Sequence, residues 1–176
     1  MCLNFINSLA SQEGVDVVIV NPGVILGSGF WSSGSGTMFS QVYKGFPFYS
    51  EGITGFVGVK DVIHCMVALM ESTCKNERFI VVSENKSFKE VLFSIADAFG
   101  KKKPSKCVQP WQASLFWRWE WLVSKITARK IRMSKYTAKT LHSKTYYSSG
   151  KIKKLIIKKF ESIEEVITYV SDDFLD

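Results

Sequence analysis

Val15-Asp16-Val17-Val18-Ile19-Val20-Asn21-Pro22-Gly23 begins as a short, β-branched, almost wholly apolar run and closes on a turn signal. Runs of this kind suit a strand buried on both faces of a parallel sheet. Asn21-Pro22-Gly23 predicts that the strand stops there. Upstream, Leu3, Phe5, Ile6, Leu9 and Ala10 form a partial helical stripe that Gly14 ends. Downstream, residues 27–37 (GSGFWSSGSGT) make a Gly/Ser-rich loop, a short helix is expected from about Met38 to Lys44, and residues 46–49 read as extended. Residues 56–59 (FVGV) predict a second strand. Asp61 then caps or opens a helix to about Ser72, with Val62, Cys65, Met66, Leu69 and Met70 at helical spacing. Residues 78–83 (RFIVVS) predict a third strand. Ser87 and Glu90 form a capping box before Val91, Leu92, Ile95, Ala96 and Phe99, and Gly100 stops that helix.

The pattern then changes. Residues 104–110 read as a connector and residues 111–127 as a long aromatic helix. A second capping box, Ser162 with Glu165, opens a last helix. Strand and helix alternate over the first hundred residues, which predicts an α/β fold with a parallel sheet, and the remainder is mainly helical. One or two parallel strands cannot bury both faces of a sheet by themselves. The sequence therefore predicts partner strands supplied from outside this stretch.

Composition bounds the class. The chain has 176 residues, enough for one domain with a sizeable core. Hydrophobic residues make up 46%, and thirteen Phe, five Trp and six Tyr argue against disorder. The net charge of +7 suits an anionic partner such as nucleic acid, an acidic membrane or a phosphorylated ligand. Its distribution is uneven: Lys101, Lys102, Lys103 and Lys106 form one cluster, Lys151, Lys153, Lys154, Lys158 and Lys159 another, and the tail after Phe160 is acidic. Lysine with little arginine favours a solvated face, so no nucleic-acid partner is expected. Cys2, Cys65, Cys74 and Cys107 are too scattered for a metal knuckle or a redox pair, and two distant histidines, His64 and His142, make zinc improbable; no metal is expected. Reduced thiols of this kind suit a cytoplasmic protein. No uninterrupted apolar stretch approaches the roughly 20 residues that span a bilayer.

Several segments leave two readings open. Asn21-Pro22-Gly23 is turn chemistry in any protein, yet the C-terminal edge of a parallel strand is also where open α/β sheets bind ligands. Trp31, Met38 and Phe39, with Phe46, Phe48 and Tyr49, suit either the lining of an apolar substrate pocket or the core covering the sheet. Gly27-Ser28-Gly29 and Gly34-Ser35-Gly36 lack the Gly-Lys-Ser/Thr continuation of a phosphate loop and read as a flexible substrate loop. Asp61 suits a structural tie to backbone amides more than chemistry. Trp111, Trp117, Trp119 and Trp121, interleaved with basic residues, suit a membrane surface or ordinary packing.

Residues 17–27 (VVIVNPGVILG) resemble the extended short-chain dehydrogenase/reductases, the NAD-dependent epimerase/dehydratase family. So do residues 56–61 (FVGVKD), the order R-F-I-V-V-S, capped helix, Gly100-Lys-Lys-Lys-Pro104, and the closing stretch from Tyr147 through Ser162-Ile-Glu-Glu165. Together these cover nearly the whole chain, and the reductase-like branch fits better than the sugar-epimerase branch. The resemblance implies a partial Rossmann-like parallel sheet plus a mainly helical substrate-binding C-terminal part. Residues 1–60 would be the C-terminal part of the dinucleotide-binding fold with its substrate loop, and residues 61–176 the substrate side. The Gly-rich phosphate loop and the catalytic Tyr-x-x-x-Lys of the family would both precede Met1, so the N-terminal nucleotide-binding half is expected to be absent and no catalytic residue is expected here.

The same resemblance turns Asn21, Pro22, Gly23, Val24 and Ile25 into cofactor residues for NAD or NADP, and Trp31, Met38 and Phe39 into substrate residues. It implies one side of an NAD(P)-dependent oxidoreductase or epimerase acting on a small carbonyl or alcohol substrate, inactive alone, with a homo-oligomer open. The alternative is a non-catalytic binding or membrane-surface module derived from that fold. Gly58 stands where the family usually has an acidic residue. Tyr147-Ser-Ser-Gly-Lys151 spells Tyr-x-x-x-Lys, but Ser-Ser-Gly is turn chemistry and cannot hold both side chains on one helical face.

Overall fold

The computed structural model describes residues 16–109, 142–156 and 159–175. Strand β1 (Val18–Pro22) lies parallel to β5 (Glu77–Val81), from Val18 opposite Glu77 to Pro22 opposite Val81. Between them the chain forms β2 (Val24–Leu26), helix α1 (Gly36–Tyr43), β3 (Phe48–Tyr49), β4 (Ile53–Gly58) and helix α2 (Val59–Met70). After β5 come β6 (Glu84–Ser87), α3 (Phe88–Ala98), β7 (Lys106–Cys107), the short α4 (Gly150–Lys153) and α5 (Ile163–Leu175). β4 is the centre of a three-stranded sheet, parallel to β2 and antiparallel to β6; β3 and β7 form a small parallel pair. This is the α/β arrangement with parallel pairing that the sequence predicts.

The departures have physical reasons. The first strand runs through Asn21 to Pro22 instead of stopping before them. A proline is tolerated on an edge strand, as β1 is among the described residues, where it owes no ladder donor on the open side, and the turn falls at Gly23. Residues 24–26, for which the sequence predicted no element, pair with Phe56, Val57 and Gly58. The helix expected from Asp61 starts at Val59 with Gly58 as its cap, and Asp61 sits in its first turn. β6 (ENKS) is too polar and short to show as a strand in the sequence. The helices expected over residues 3–12 and 111–127 lie outside the described residues.

β4 divides two cores by strand alternation. Phe56 faces a core of Leu26, Phe39, Val91, Ile95 and the apolar side of α5, while Val57 faces a second core of Val62, Cys65, Leu69, Phe79 and Ile152. The caps fix the helices that close the first core. Ser87 Oγ accepts the Glu90 amide at 3.1 Å and Glu90 Oε2 accepts the Ser87 amide at 2.7 Å. Gly100, at φ +59°, ends α3: its amide donates to Asp97 O and that of Lys101 to Ala96 O, the paired bonds of a left-handed cap. Ser162 and Glu165 repeat the reciprocal cap at α5.

Candidate functional site

The site is built at the tip of β1. Asn21 is half-buried and Pro22 exposed. The Gly23 amide donates to Val81 O at 3.0 Å, so the turn is pinned to the end of β5. A Cβ on Gly23 would lie 2.3 Å from the carbonyl oxygen of Gly55, and a Cβ on Gly55 would lie 2.6 Å from a Val82 methyl. Two glycines therefore let the β1 tip, β4 and the chain after β5 converge closer than side chains permit. The Tyr147 ring closes over Gly55, 3.3 Å from where its Cβ would be. Asn85 holds that segment with two bonds of 2.9 Å, Nδ2 to Tyr147 O and the Tyr147 amide to Oδ1.

The five residues at the tip play different parts. Val24 packs on the first core and Ile25 on the second, so their side chains face inward and only their backbone borders the tip. The Asn21 side-chain amide has no hydrogen-bond partner among the described residues. The Asn21 side-chain amide, the exposed Pro22 ring and the backbone of residues 23–25 thus border the tip together.

Trp31, Met38 and Phe39 are brought together, in packing. Phe39 is fully buried and Trp31 and Met38 lie against the same core. Trp31 meets Phe39 edge-on at 6.2 Å and Phe174 at 4.7 Å. The loop before α1 folds back: Ser35 Oγ donates to Ile25 O, and Ser40 Oγ donates to Trp31 O at 2.8 Å. Phe46 and Phe48 are partly exposed and touch each other.

Asp61 is completely buried and accepts the Glu161 amide through Oδ2 at 2.9 Å, tying the start of α2 to the entry of α5. Burial first, and Asp61 second, push the Cys65 thiol up to about 11. Burial, then Glu161 and Asp61, push Tyr169 up to about 12, and Lys60 Nζ lies 3.8 Å from that ring's centre. A Cβ on Gly58 would lie 2.8 Å from a Val166 methyl and 3.6 Å from Glu161 Oε2. The glycine at this position thus admits α5, and Glu161 brings a carboxylate to the same neighbourhood.

Tyr147 and Lys151 do not act as a pair. Helix α4 begins at Gly150, after Tyr147. Lys151 Nζ reaches Glu77 at 2.8 Å and Arg78 O at 3.2 Å, at the start of β5, the opposite end from Val81. His142 contacts Val108 O at 2.8 Å through Nε2. Among the described residues no three His, Cys, Asp or Glu side chains are grouped to hold a metal, and no helix is long and apolar enough to cross a membrane. The sequence missed Gly55, Asn85 and Val82; of these only the Gly in I-T-G-F-V carried a visible signal, a glycine inside a strand.

No family model matches the chain, and no curated protein matches it. Solved structures do. The protein gox2253 is similar over 98% of this chain and 53% of its own, with 19% identity and a TM-score of 0.77. A nucleoside-diphosphate-sugar epimerase from Pseudomonas aeruginosa covers 97% and 52%, with 15% identity and a TM-score of 0.73. The UDP-glucose 4-epimerase of Thermus thermophilus, solved in complex with NAD, covers 98% and 50%, with 17% identity and a TM-score of 0.66. The chain spans about half the length of these structures, and its fold is that of the half it matches.

Proposed function

We propose that this chain is the substrate- and nicotinamide-side part of an NAD(P)-dependent oxidoreductase or epimerase of the extended short-chain dehydrogenase/reductase type, acting on a small carbonyl or alcohol substrate. The observation that carries the reading is the Gly23 turn: a parallel strand ends at Asn21-Pro22, and the chain is pinned there to Val81 O and pressed onto Gly55. Ligands of open α/β sheets bind outside this edge. The epimerase-type structures sharing the fold, one of them solved with NAD, support it.

In this reading the nicotinamide cofactor supplies hydride transfer, and the protein supplies position. The Asn21 side chain would hydrogen-bond the carboxamide, and Pro22 with the backbone of Gly23, Val24 and Ile25 would form a wall excluding water from one ring face. The core of Trp31, Met38 and Phe39 would stiffen the substrate side. Tyr147 and Lys151 would not form an acid/base pair at the tip, because Lys151 is engaged at the far end of β5. The chain alone is expected not to turn over.

Nuclear magnetic resonance tests the wall directly. Nicotinamide mononucleotide titrated into the chain should shift amide signals of Asn21, Gly23, Val24 and Ile25, and Asn21→Ala should weaken the response several-fold. Shifts that map elsewhere, or none at saturating ligand, would sink the reading.

A further inference from the structure

Exposed aromatic rings and lysines gather where α1 ends and β3 meets β7. Tyr43 closes α1, Lys44 follows it, and Gly45 at φ +75° turns the chain into Phe46-Pro47-Phe48. Phe46 and Phe48 are 45% and 39% exposed, with ring centres 5.4 Å apart. Single surface apolar residues need no explanation, but adjacent exposed rings inside a rim of charge mark a contact surface.

The segment after α3 brings the charge. The amides of Ser105 and Lys106 both donate to Pro47 O, at 3.0 and 2.8 Å, and Lys106 lies opposite Phe48 in the β3–β7 pair. Residues in register share a face of the ladder, and Lys106 Nζ lies 5.8 Å from the Phe48 ring centre. Lys101 Nζ lies 4.8 Å over Tyr43, and Lys103 lies 5.6 Å over Phe93 while pairing with Asp97 at 2.8 Å. Lys44, Lys101, Lys102 and Lys106 are exposed and have no ion-pair partner among the described residues. The other lysine cluster is built differently. Lys151 and Lys153 lie over the buried rings of Phe79 and Phe160, and Lys151 is paired with Glu77. That cluster carries charge without an exposed aromatic tip.

We infer that the first surface binds the anionic headgroup layer of a lipid bilayer. Phe46-Pro47-Phe48 enters the interface, and Lys44, Lys101, Lys102, Lys103 and Lys106 lie against acidic lipids. Charge complementarity selects this partner. Each ammonium near an anionic bilayer adds attraction, and the apolar tip between them gains by leaving water. A single-stranded nucleic acid fits less well. Bases stack on open ring faces, whereas lysine ammoniums lie over Tyr43, Tyr49 and Phe93, and Phe46 and Phe48 turn toward each other at 58°. Lysine also lacks the forked donor with which arginine reads a phosphate. The inference stands apart from the nicotinamide reading, which uses none of these residues.

Cosedimentation of the purified full chain with vesicles tests it. The chain should bind vesicles of phosphatidylcholine mixed with phosphatidylserine and not phosphatidylcholine alone, and the binding should weaken as salt rises. Phe46→Ser combined with Phe48→Ser should lower the affinity about tenfold or more. Lys44→Glu combined with Lys106→Glu should lower it several-fold. Lys154→Glu combined with Lys159→Glu changes the net charge equally in the other cluster and should weaken binding far less. Brominated lipid should quench the fluorescence added by Phe46→Trp, and thermal melts confirm that each variant folds. Equal loss on reversing either lysine pair would reduce the effect to net charge and overturn the inference. So would no binding to the mixed vesicles, binding that survives the Phe46 and Phe48 substitutions, or a single-stranded oligonucleotide held by these residues in place of vesicles.

Discussion

At Gly23 the absence of a side chain decides whether β1 and β4 can meet. The space for a Cβ is taken by the Gly55 carbonyl, and Gly55 in turn leaves room for Val82. Gly23→Ala is therefore expected to cost about 1–3 kcal/mol by overpacking, read from urea unfolding. Gly55→Ala should cost a similar amount, and the double variant less than the sum, because the two substitutions open one contact. Gly29→Ala, at φ +97° with open space around it, should cost only the backbone strain. Asp61 makes a second residue-scale claim. Its carboxylate stands third among the causes that raise Tyr169, after burial and Glu161. In ultraviolet titration Tyr169 should ionise near 12, and Asp61→Asn should lower that midpoint while leaving it above the ordinary 10. Pro22 and Gly23 could be picked out of the sequence because turn residues carry their own signal. Asn85 could not, and Gly55 showed only as a glycine inside a strand, since their meaning lies in contacts with Tyr147 and Val82, distant in the chain.

Elements were legible where local chemistry fixes them. Both capping boxes and the Gly100 stop form as the sequence predicts, because each is made by residues three to five apart. β6 was not, because Glu84-Asn85-Lys86-Ser87 becomes a strand only by pairing with β4. Nor did the sequence show β2 as a strand, since its three residues gain their ladder from β4. The caps carry a prediction of their own. Ser87→Ala should cost about 0.5–2 kcal/mol, measured by thermal or urea unfolding. The bonds from Ser87 and Ser162 hold Glu90 and Glu165 below the usual carboxylate value of 4.5. A carboxylate depressed in the folded state contributes stability that is present above the unfolded value and lost as pH falls through the folded one. Stability should thus be level above about pH 4.5 in this respect and decline below it. Glu90→Gln should flatten that acid limb while leaving stability at neutral pH less affected than Ser87→Ala does, because the amide oxygen still accepts the Ser87 N–H.

Across the whole molecule the two cores are unequally closed. The first is sealed by α3 and α5, each capped at its start. Trp31, Phe39, Tyr43, Phe99 and Phe174 add a cluster of tilted and edge-on ring contacts at 4.7–6.4 Å. Lys86 bridges β6 to α5 through Glu164; burial opposes its charge, yet the bonds to Glu164 and Glu84 together raise the ammonium. The second core leans on β1, which is half-buried with one edge open among the described residues, and on α2, whose outer stripe faces solvent. Local opening free energy follows buried apolar contact and protected backbone hydrogen bonds. Native-state hydrogen exchange on the chain alone should therefore rank α3, α5 and β4 as slowest, and β1 and α2 as opening first. Along β1 itself, amides bonded to β5 should exchange more slowly than alternate amides facing the other way, because parallel ladders use every second residue on each edge. Uniform protection of β1 on both edges would show that a strand already lies beside it. Equal protection of both cores would show that the second needs nothing further to close it.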